Sequence, residues 1–145
     1  MTLILYSADL SSELSLTYAD GGIRAGFPSP AQDYLFDSID LNRELVRHPA
    51  TTFYARAVGD SMKGCGIDDG DLLVIDKSID PHDGDIVVAF IDGEFTLKKV
   101  RIDPDGSCLW LIPANDDYPP IKVTEENNFI VCGVLTYNIK RQLRR

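Results

Sequence analysis

From residue 51 onward, apolar and β-branched residues recur in short runs, each closed by a cluster of turn-forming residues. The pattern predicts strands at Thr52–Ala57, Leu72–Asp76, Asp85–Ile91, Glu94–Ile102, Cys108–Pro113 and Phe129–Tyr137. Between them stand Asp69-Gly70-Asp71, Asp83-Gly84-Asp85 and Asp92-Gly93-Glu94. Glycine after aspartate supplies the positive φ of a tight turn, and Asp92-Gly93 falls where a two-residue hairpin turn belongs. These acidic clusters lack the spacing of a calcium-binding loop and read as turns.

The first 50 residues have a different texture. Residues 1–25 are mixed and poorly periodic, with Gly21-Gly22 near their end. Residues 26–50 open on Gly26-Phe27-Pro28-Ser29-Pro30, where two prolines exclude helix and favour an extended path. A short helix is expected over Asp40 to Arg47, with the Asp40 carboxylate as its cap and His48-Pro49 as its stop. Three zones follow: a segment 1–25, an extended arm with a short helix at 26–50, and a β domain at 51–145.

Composition narrows the function classes. The chain has 145 residues, 44% of them hydrophobic, enough for one domain with a real core. Its 23 acidic against 14 basic residues give a net charge of −9, which disfavours direct binding to a phosphate backbone. The one basic run, Lys140, Arg141, Arg144 and Arg145, reads as a solvated tail. Three cysteines, Cys65, Cys108 and Cys132, without paired spacing suit neither a disulfide framework nor a structural zinc site. The opening MTLILY is too short for a signal or membrane segment, so a cytoplasmic protein without metal or cofactor is expected.

Ser61, in Gly59-Asp60-Ser61-Met62-Lys63-Gly64, follows a predicted strand on a glycine-flanked bend. Such a bend can expose a hydroxyl as nucleophile and free its backbone N–H as an oxyanion donor; it is also ordinary turn material. His48 and His82 both lie at surface-like positions, so a Ser-His-Asp arrangement lacks support. Cys65 has no histidine placed to activate it and reads as loop filler. Lys98 lies in Glu94-Phe95-Thr96-Leu97-Lys98-Lys99-Val100, where alternation puts it on the face of Thr96 and opposite Leu97 and Lys99. Either the lysine pair decorates an exposed strand, or one lysine turns toward the covered side. A lysine acts as base only when neutral, and at its ordinary pKa about 1 in 2,500 is neutral at pH 7. Burial must bring that pKa to roughly 7, at a cost of about 4 kcal/mol. Thr96 could hold the amine by a hydrogen bond.

Taken in order, Gly59-Asp60-Ser61-Met62, Gly66-Ile67-Asp68-Asp69-Gly70-Asp71-Leu72-Leu73, Asp83-Gly84-Asp85-Ile86-Val87 and Gly93-Glu94-Phe95-Thr96-Leu97-Lys98-Lys99 resemble the LexA/UmuD peptidase family over about residues 24–137. The resemblance implies a mainly β, compact twisted-sheet domain of LexA/signal-peptidase type, with an extended N-terminal arm. It also implies a Ser61–Lys98 dyad with backbone oxyanion donors at Ser61 and Asp60. Only about 25 residues precede Gly26, too few for the helix-turn-helix domain of the repressor branch. The closer resemblance is therefore to the UmuD branch, accessory subunits of error-prone polymerases. Ala25-Gly26-Phe27-Pro28-Ser29-Pro30 resembles its cleavage region, with alanine where that branch has cysteine.

By that resemblance the chain cuts itself between Ala25 and Gly26, within one chain or across a homodimer. A RecA–single-stranded DNA filament would be the trigger. The processed form would serve a UmuC-like Y-family polymerase in translesion synthesis. Two other classes stay open on the residues: a β scaffold that binds a polymerase without cutting, and the peptidase half of a LexA-like repressor system.

Overall fold

The alternating runs become strands where the sequence predicts them, as a computed structural model shows for residues 2–7, 15–19, 35–113, 117, 119–124 and 129–143. The described elements begin with β1 (Thr2–Ser7), β2 (Ser15–Ala19), β3 (Leu35–Asp40) and α1 (Leu41–Leu45). They continue with β4 (Thr52–Val58), β5 (Leu72–Asp76), β6 (Ile86–Ile91) and β7 (Glu94–Ile102). β8 (Leu109–Ile112), β9 (Ile121–Lys122) and β10 (Phe129–Ile139) complete the set. Eight of the strands form one sheet in the order β1-β4-β5-β10-β6-β7-β8-β9, and β2 and β3 pair separately. Every pairing is antiparallel. The mainly β architecture expected from the resemblance is the one observed.

The sheet curls so that both faces of its middle are covered. One core joins Ala55, Ala57, Met62, Ile67, Leu73, Ile75, Val88 and Leu97. The other joins Val87, Ala89, Val100, Leu111 and Val134. Alternation makes this possible: Val88 serves the first core while its neighbours Val87 and Ala89 serve the second. β7 is shared in the same way, through Leu97 and Val100.

The turns take the chemistry their residues dictate. β6 and β7 are joined by Asp92 and Gly93 alone, and both have positive φ, 49° and 86°, as a two-residue hairpin of matching twist requires. The other turn aspartates hold backbone. Asp69 accepts from the Gly59 N–H, Asp71 from Asp68, Asp83 from Ile102 and Asp85 from His82. That work accounts for acidic residues which a bare motif search could assign to a cation. α1 starts where expected, with the Asp40 carboxylate accepting from the Asn42 N–H at 3.0 Å, and is shorter than predicted, ending at Leu45.

Strands β1, β2 and β3 fall where the sequence shows little periodicity. β1 adds itself to the edge of β4, and β2 pairs with β3. β10 runs longer than predicted, to Ile139, and carries two register shifts that bend it across β5 and β6. The tail is partly anchored. Lys140 Nζ donates to Asp68 Oδ2 at 3.0 Å and to Asp71 Oδ2 at 2.5 Å, so this residue is no freely solvated cation. Ala25 and Gly26 lie outside the described residues.

Candidate active site

β4 runs out at Val58, and Gly59, with φ of 102°, turns the chain sharply into Asp60 and Ser61. The turn is pinned at both ends. Asp69 Oδ1 takes the Gly59 N–H at 2.8 Å, and the Asp60 carbonyl takes the Lys63 N–H at 3.1 Å. Met62, fully buried, plugs the bend into the first core. A single 3-10 turn at Lys63–Cys65 then closes on Gly66. Ser61 is thus fixed by its neighbours on both sides.

The Ser61 hydroxyl is buried and has no hydrogen-bond partner among the described residues. Buried hydroxyls are nearly always paired, so an unpaired one at a pinned bend calls for a reason beyond packing. The N–H groups of Asp60 and Ser61 are likewise taken by no acceptor among the described residues. A nucleophile and two free backbone donors therefore sit side by side. An acyl carbonyl brought to Ser61 would find donors for its developing negative charge.

Lys98 lies on β7, paired with Val87 of β6, and is half-buried while Lys99 is exposed. The two adjacent lysines divide as the alternation predicts. Burial strips water from the Lys98 ammonium and pushes its pKa down, and it forms no ion pair among the described residues that would push it back. The Ser61 and Lys98 side chains are not hydrogen-bonded to each other in this structure. Thr96 is half-buried on the same face of β7 and makes no hydrogen bond to Lys98.

Sequence reasoning gave no role to a second polar cluster. His48 Nδ1 bonds the buried carboxylate of Asp76, whose other oxygen accepts from Thr51 Oγ at 2.8 Å, Ser78 N–H at 2.9 Å and Ser78 Oγ at 2.7 Å. Burial raises the Asp76 pKa, and these hydrogen bonds together outweigh it and hold the carboxyl far below the usual range. The cluster is not a catalytic triad. Ser78 Oγ and Asp76 both address the same ring nitrogen, Nδ1, so no relay runs through the imidazole. It borders a cleft of about 360 Å³ whose lining includes Arg47, Ile79 and Tyr137 but neither Ser61 nor Lys98. Cys65 is half-buried against the first core, in keeping with a filler role.

The β fold and the pinned bend that carries Ser61 are compatible with peptidase chemistry, and comparison supplies the class, a self-cleaving serine peptidase in general terms. Residues 18–136 match the Peptidase S24-like family, and the chain belongs to it. Within that family the chain is UmuD-like, with a corresponding place in SOS mutagenesis. It is 48% identical over 112 residues to Protein SamA of Salmonella typhimurium, spanning 77% of this chain and 76% of that one. Protein MucA of Escherichia coli is 39% identical over 137 residues, 94% of this chain and 92% of MucA. The LexA repressor of Xylella fastidiosa is 38% identical over 122 residues, 81% of this chain but 56% of the repressor. Among the described residues no helix is long and apolar enough to cross a membrane.

Proposed function

We propose that this chain cleaves its own Ala25–Gly26 bond through Ser61 as nucleophile and Lys98 as general base. The observation that carries the reading is the buried, unpartnered Ser61 hydroxyl on a bend with two unengaged backbone N–H groups. In the first step neutral Lys98 takes the proton of Ser61 Oγ as that oxygen attacks the Ala25 carbonyl carbon. The N–H groups of Ser61 and Asp60 hold the oxyanion. As the C–N bond breaks, Lys98 returns the proton to the departing Gly26 amine. Water, deprotonated by Lys98, then attacks the acyl ester and releases Ser61 and the Ala25 carboxylate. Thr96 orients the amine once the arm has docked. Small residues on both sides of the bond allow the backbone to approach the nucleophile.

The product, residues 26–145, loses Asp9, Glu13, Asp20 and Arg24, so its formal charge goes from −9 to −9 + 2 = −7. By kinship it acts as a homodimeric subunit of an error-prone UmuC-like polymerase, and a RecA–single-stranded DNA filament stimulates the cut. Docking of the arm over Ser61 is then a population shift that the filament biases.

Intact mass followed against time at alkaline pH tests the reading, with Ser61→Ala and Lys98→Ala alongside. A break after Ala25 in the wild type, absent from both variants, is the expected result. A wild type that stays whole while folded would leave a binding module and not a peptidase.

A further inference from the structure

The C-terminal end of β10 is tied to the loop that follows Ser61. Between the bend and β5 the chain runs through Gly66-Ile67-Asp68-Asp69-Gly70-Asp71. One oxygen organises this loop. Asp71 is 4% exposed, and its Oδ2 accepts from the Asp68 N–H at 3.0 Å, from Asn138 Nδ2 at 3.1 Å and from Lys140 Nζ at 2.5 Å. The two β10 residues reach further into the loop. Asn138 Nδ2 also donates to the Gly66 carbonyl at 3.1 Å, and Lys140 Nζ to Asp68 Oδ2 at 3.0 Å.

The loop has other fastenings, which leave one group to be aimed. The Gly70 N–H donates to the Ala57 carbonyl and the Ala57 N–H to the Asp71 carbonyl, so the far end is fixed to β4. Ile67 is buried in the first core. Neither fastening directs the Asp69 carboxylate, whose Oδ1 takes the Gly59 N–H at 2.8 Å and pins the start of the bend. The Asp69 side chain is exposed, so its aim is set by the turn that contains it. That turn is closed by the Asp71 N–H on the Asp68 carbonyl, and by the Asp68 N–H on Asp71 Oδ2. The second closure depends on the carboxylate that Lys140 and Asn138 hold.

Burial decides which of the Lys140 contacts matters. Asp68 is exposed, and an exposed ion pair contributes little. Asp71 is buried. Burial raises its pKa, and the bonds from Lys140, the Asp68 N–H and Asn138 together outweigh it and hold the carboxyl below its ordinary value. Without the ammonium a buried carboxylate is left undercompensated, and turning toward water releases the Asp68 N–H.

We propose that Lys140 is a positioning residue for Ser61. From the end of β10 it clamps the Asp71 carboxylate, the carboxylate closes the 68–71 turn, and the turn aims Asp69 at the Gly59 N–H. Asn138 supports the same clamp. The residue that opens the basic C-terminal run thus sets the bend of the nucleophile without a hydrogen bond to it. The consequence for cleavage rests on the role proposed above for Ser61; the clamp itself does not.

The clamp is read first in the full chain carrying Ser61→Ala, so that self-cleavage plays no part. Amide exchange is followed at Gly59 and Lys63, the two N–H groups that pin the bend, and at Val88 and Leu97 as controls. Adding Lys140→Met, which keeps an apolar stem and removes the ammonium, is expected to speed exchange at Gly59 and Lys63 about tenfold and leave the controls unchanged. Asn138→Ala, a milder change, gives the same pattern at smaller amplitude and carries the test if Lys140→Met does not fold. Asp69→Ala frees Gly59, and Asp69→Asn, which keeps an acceptor oxygen, protects it again. Asp76→Asn removes a buried carboxylate at the opposite end of β5 and controls for lost stability alone; both bend amides stay within about twofold of the parent.

The second arm restores Ser61 and follows self-cleavage between about pH 7 and pH 10. Lys140→Met is expected to cut on the order of tenfold more slowly at every pH, with the shape of the pH profile unmoved, and Asp76→Asn to cut within about twofold of wild type. Bend amides that exchange as slowly in Lys140→Met as in the parent overturn the proposal. So does faster exchange that extends equally to Val88 and Leu97, or an Asp76→Asn variant slowed as much as Lys140→Met. A wild type that does not cut sinks the peptidase reading alone, and the exchange arm then decides the clamp.

Discussion

His48 Nδ1 meets Asp76 Oδ2 at 2.5 Å, and this bond ties the end of the arm to the middle of the sheet. Asp76 is 3% exposed and accepts three further hydrogen bonds, so its charge is fully compensated. Its folded pKa lies below the unfolded value of 3.8. The sign follows: the stabilisation is complete above about pH 4 and is lost as pH falls toward the folded pKa. Asp76→Asn is expected to cost about 1–3 kcal/mol at pH 7. Urea unfolding at pH 7 and pH 3 should show the gap from wild type shrinking at the lower pH. An equal gap at both values would sever the link to the carboxylate charge.

Gly133 leaves no room for a side chain where β10 meets the end of β5. A Cβ at this position would stand 2.6 Å from Ile75 Cγ2 and 3.2 Å from the Asp76 carbonyl oxygen. The second contact is to backbone and cannot swing aside. Gly133→Ala is expected to cost about 1–3 kcal/mol by overcrowding. Adding Ile75→Ala, which removes the nearer atom, should cost less than the sum of the two single changes. Denaturant midpoints for the four proteins measure this coupling, and simple additivity would rule out the crowding.

Much of this fold was legible because alternation is a local signal. Leu72–Asp76 and Glu94–Ile102 read directly as strands, and Asp92-Gly93 named its own turn. β1 was not legible, because so short a run declares no partner and the strand that receives it, β4, lies about fifty residues away in the chain. The two-residue β9 carries too little sequence to show a period. At the site, alternation put Lys98 and Lys99 on opposite faces of β7, and Lys98 is the one that shares its face with buried Val100. The His48–Asp76–Ser78 cluster was not legible, because its members are brought together by the packing of the arm against β5, and no motif spans them.

Met62 offers a way to disturb the candidate site without touching its chemistry. The side chain is fully buried in the first core and anchors the bend that carries Ser61. Met62→Ala is expected to cost about 2–5 kcal/mol of stability. It should also slow alkaline self-cleavage at temperatures where the variant is still folded, because Ser61 loses its anchor. Lys63→Ala, one residue on and exposed, should change stability by no more than about 0.5 kcal/mol. Paired unfolding and cleavage measurements on the two variants distinguish anchoring from proximity. Equal cleavage rates in the two would deny Met62 its role.

Lys98 makes the strongest demand on pH. Its pKa is lowered by desolvation, so the neutral base is reached at a lower pH than for an exposed lysine, and below that point it remains scarce. Self-cleavage should rise about tenfold per pH unit from pH 7 and level off before the ordinary ammonium value near 10.5. Lys98→Arg, charged at every such pH, should be at least about a thousandfold slower and flat across the range. The same lowered pKa makes a second claim, on stability. The unfolded chain holds this proton more tightly than the folded one, so folding becomes more favourable as pH rises through the folded pKa. Lys98→Met, which removes the buried charge, is therefore expected to be more stable than wild type at pH 7, with the advantage fading toward pH 10. Thermal unfolding across that interval reads the difference without reference to cleavage. A variant no more stable than wild type at pH 7 would mean the ammonium is solvated after all, and that Lys98 is no base.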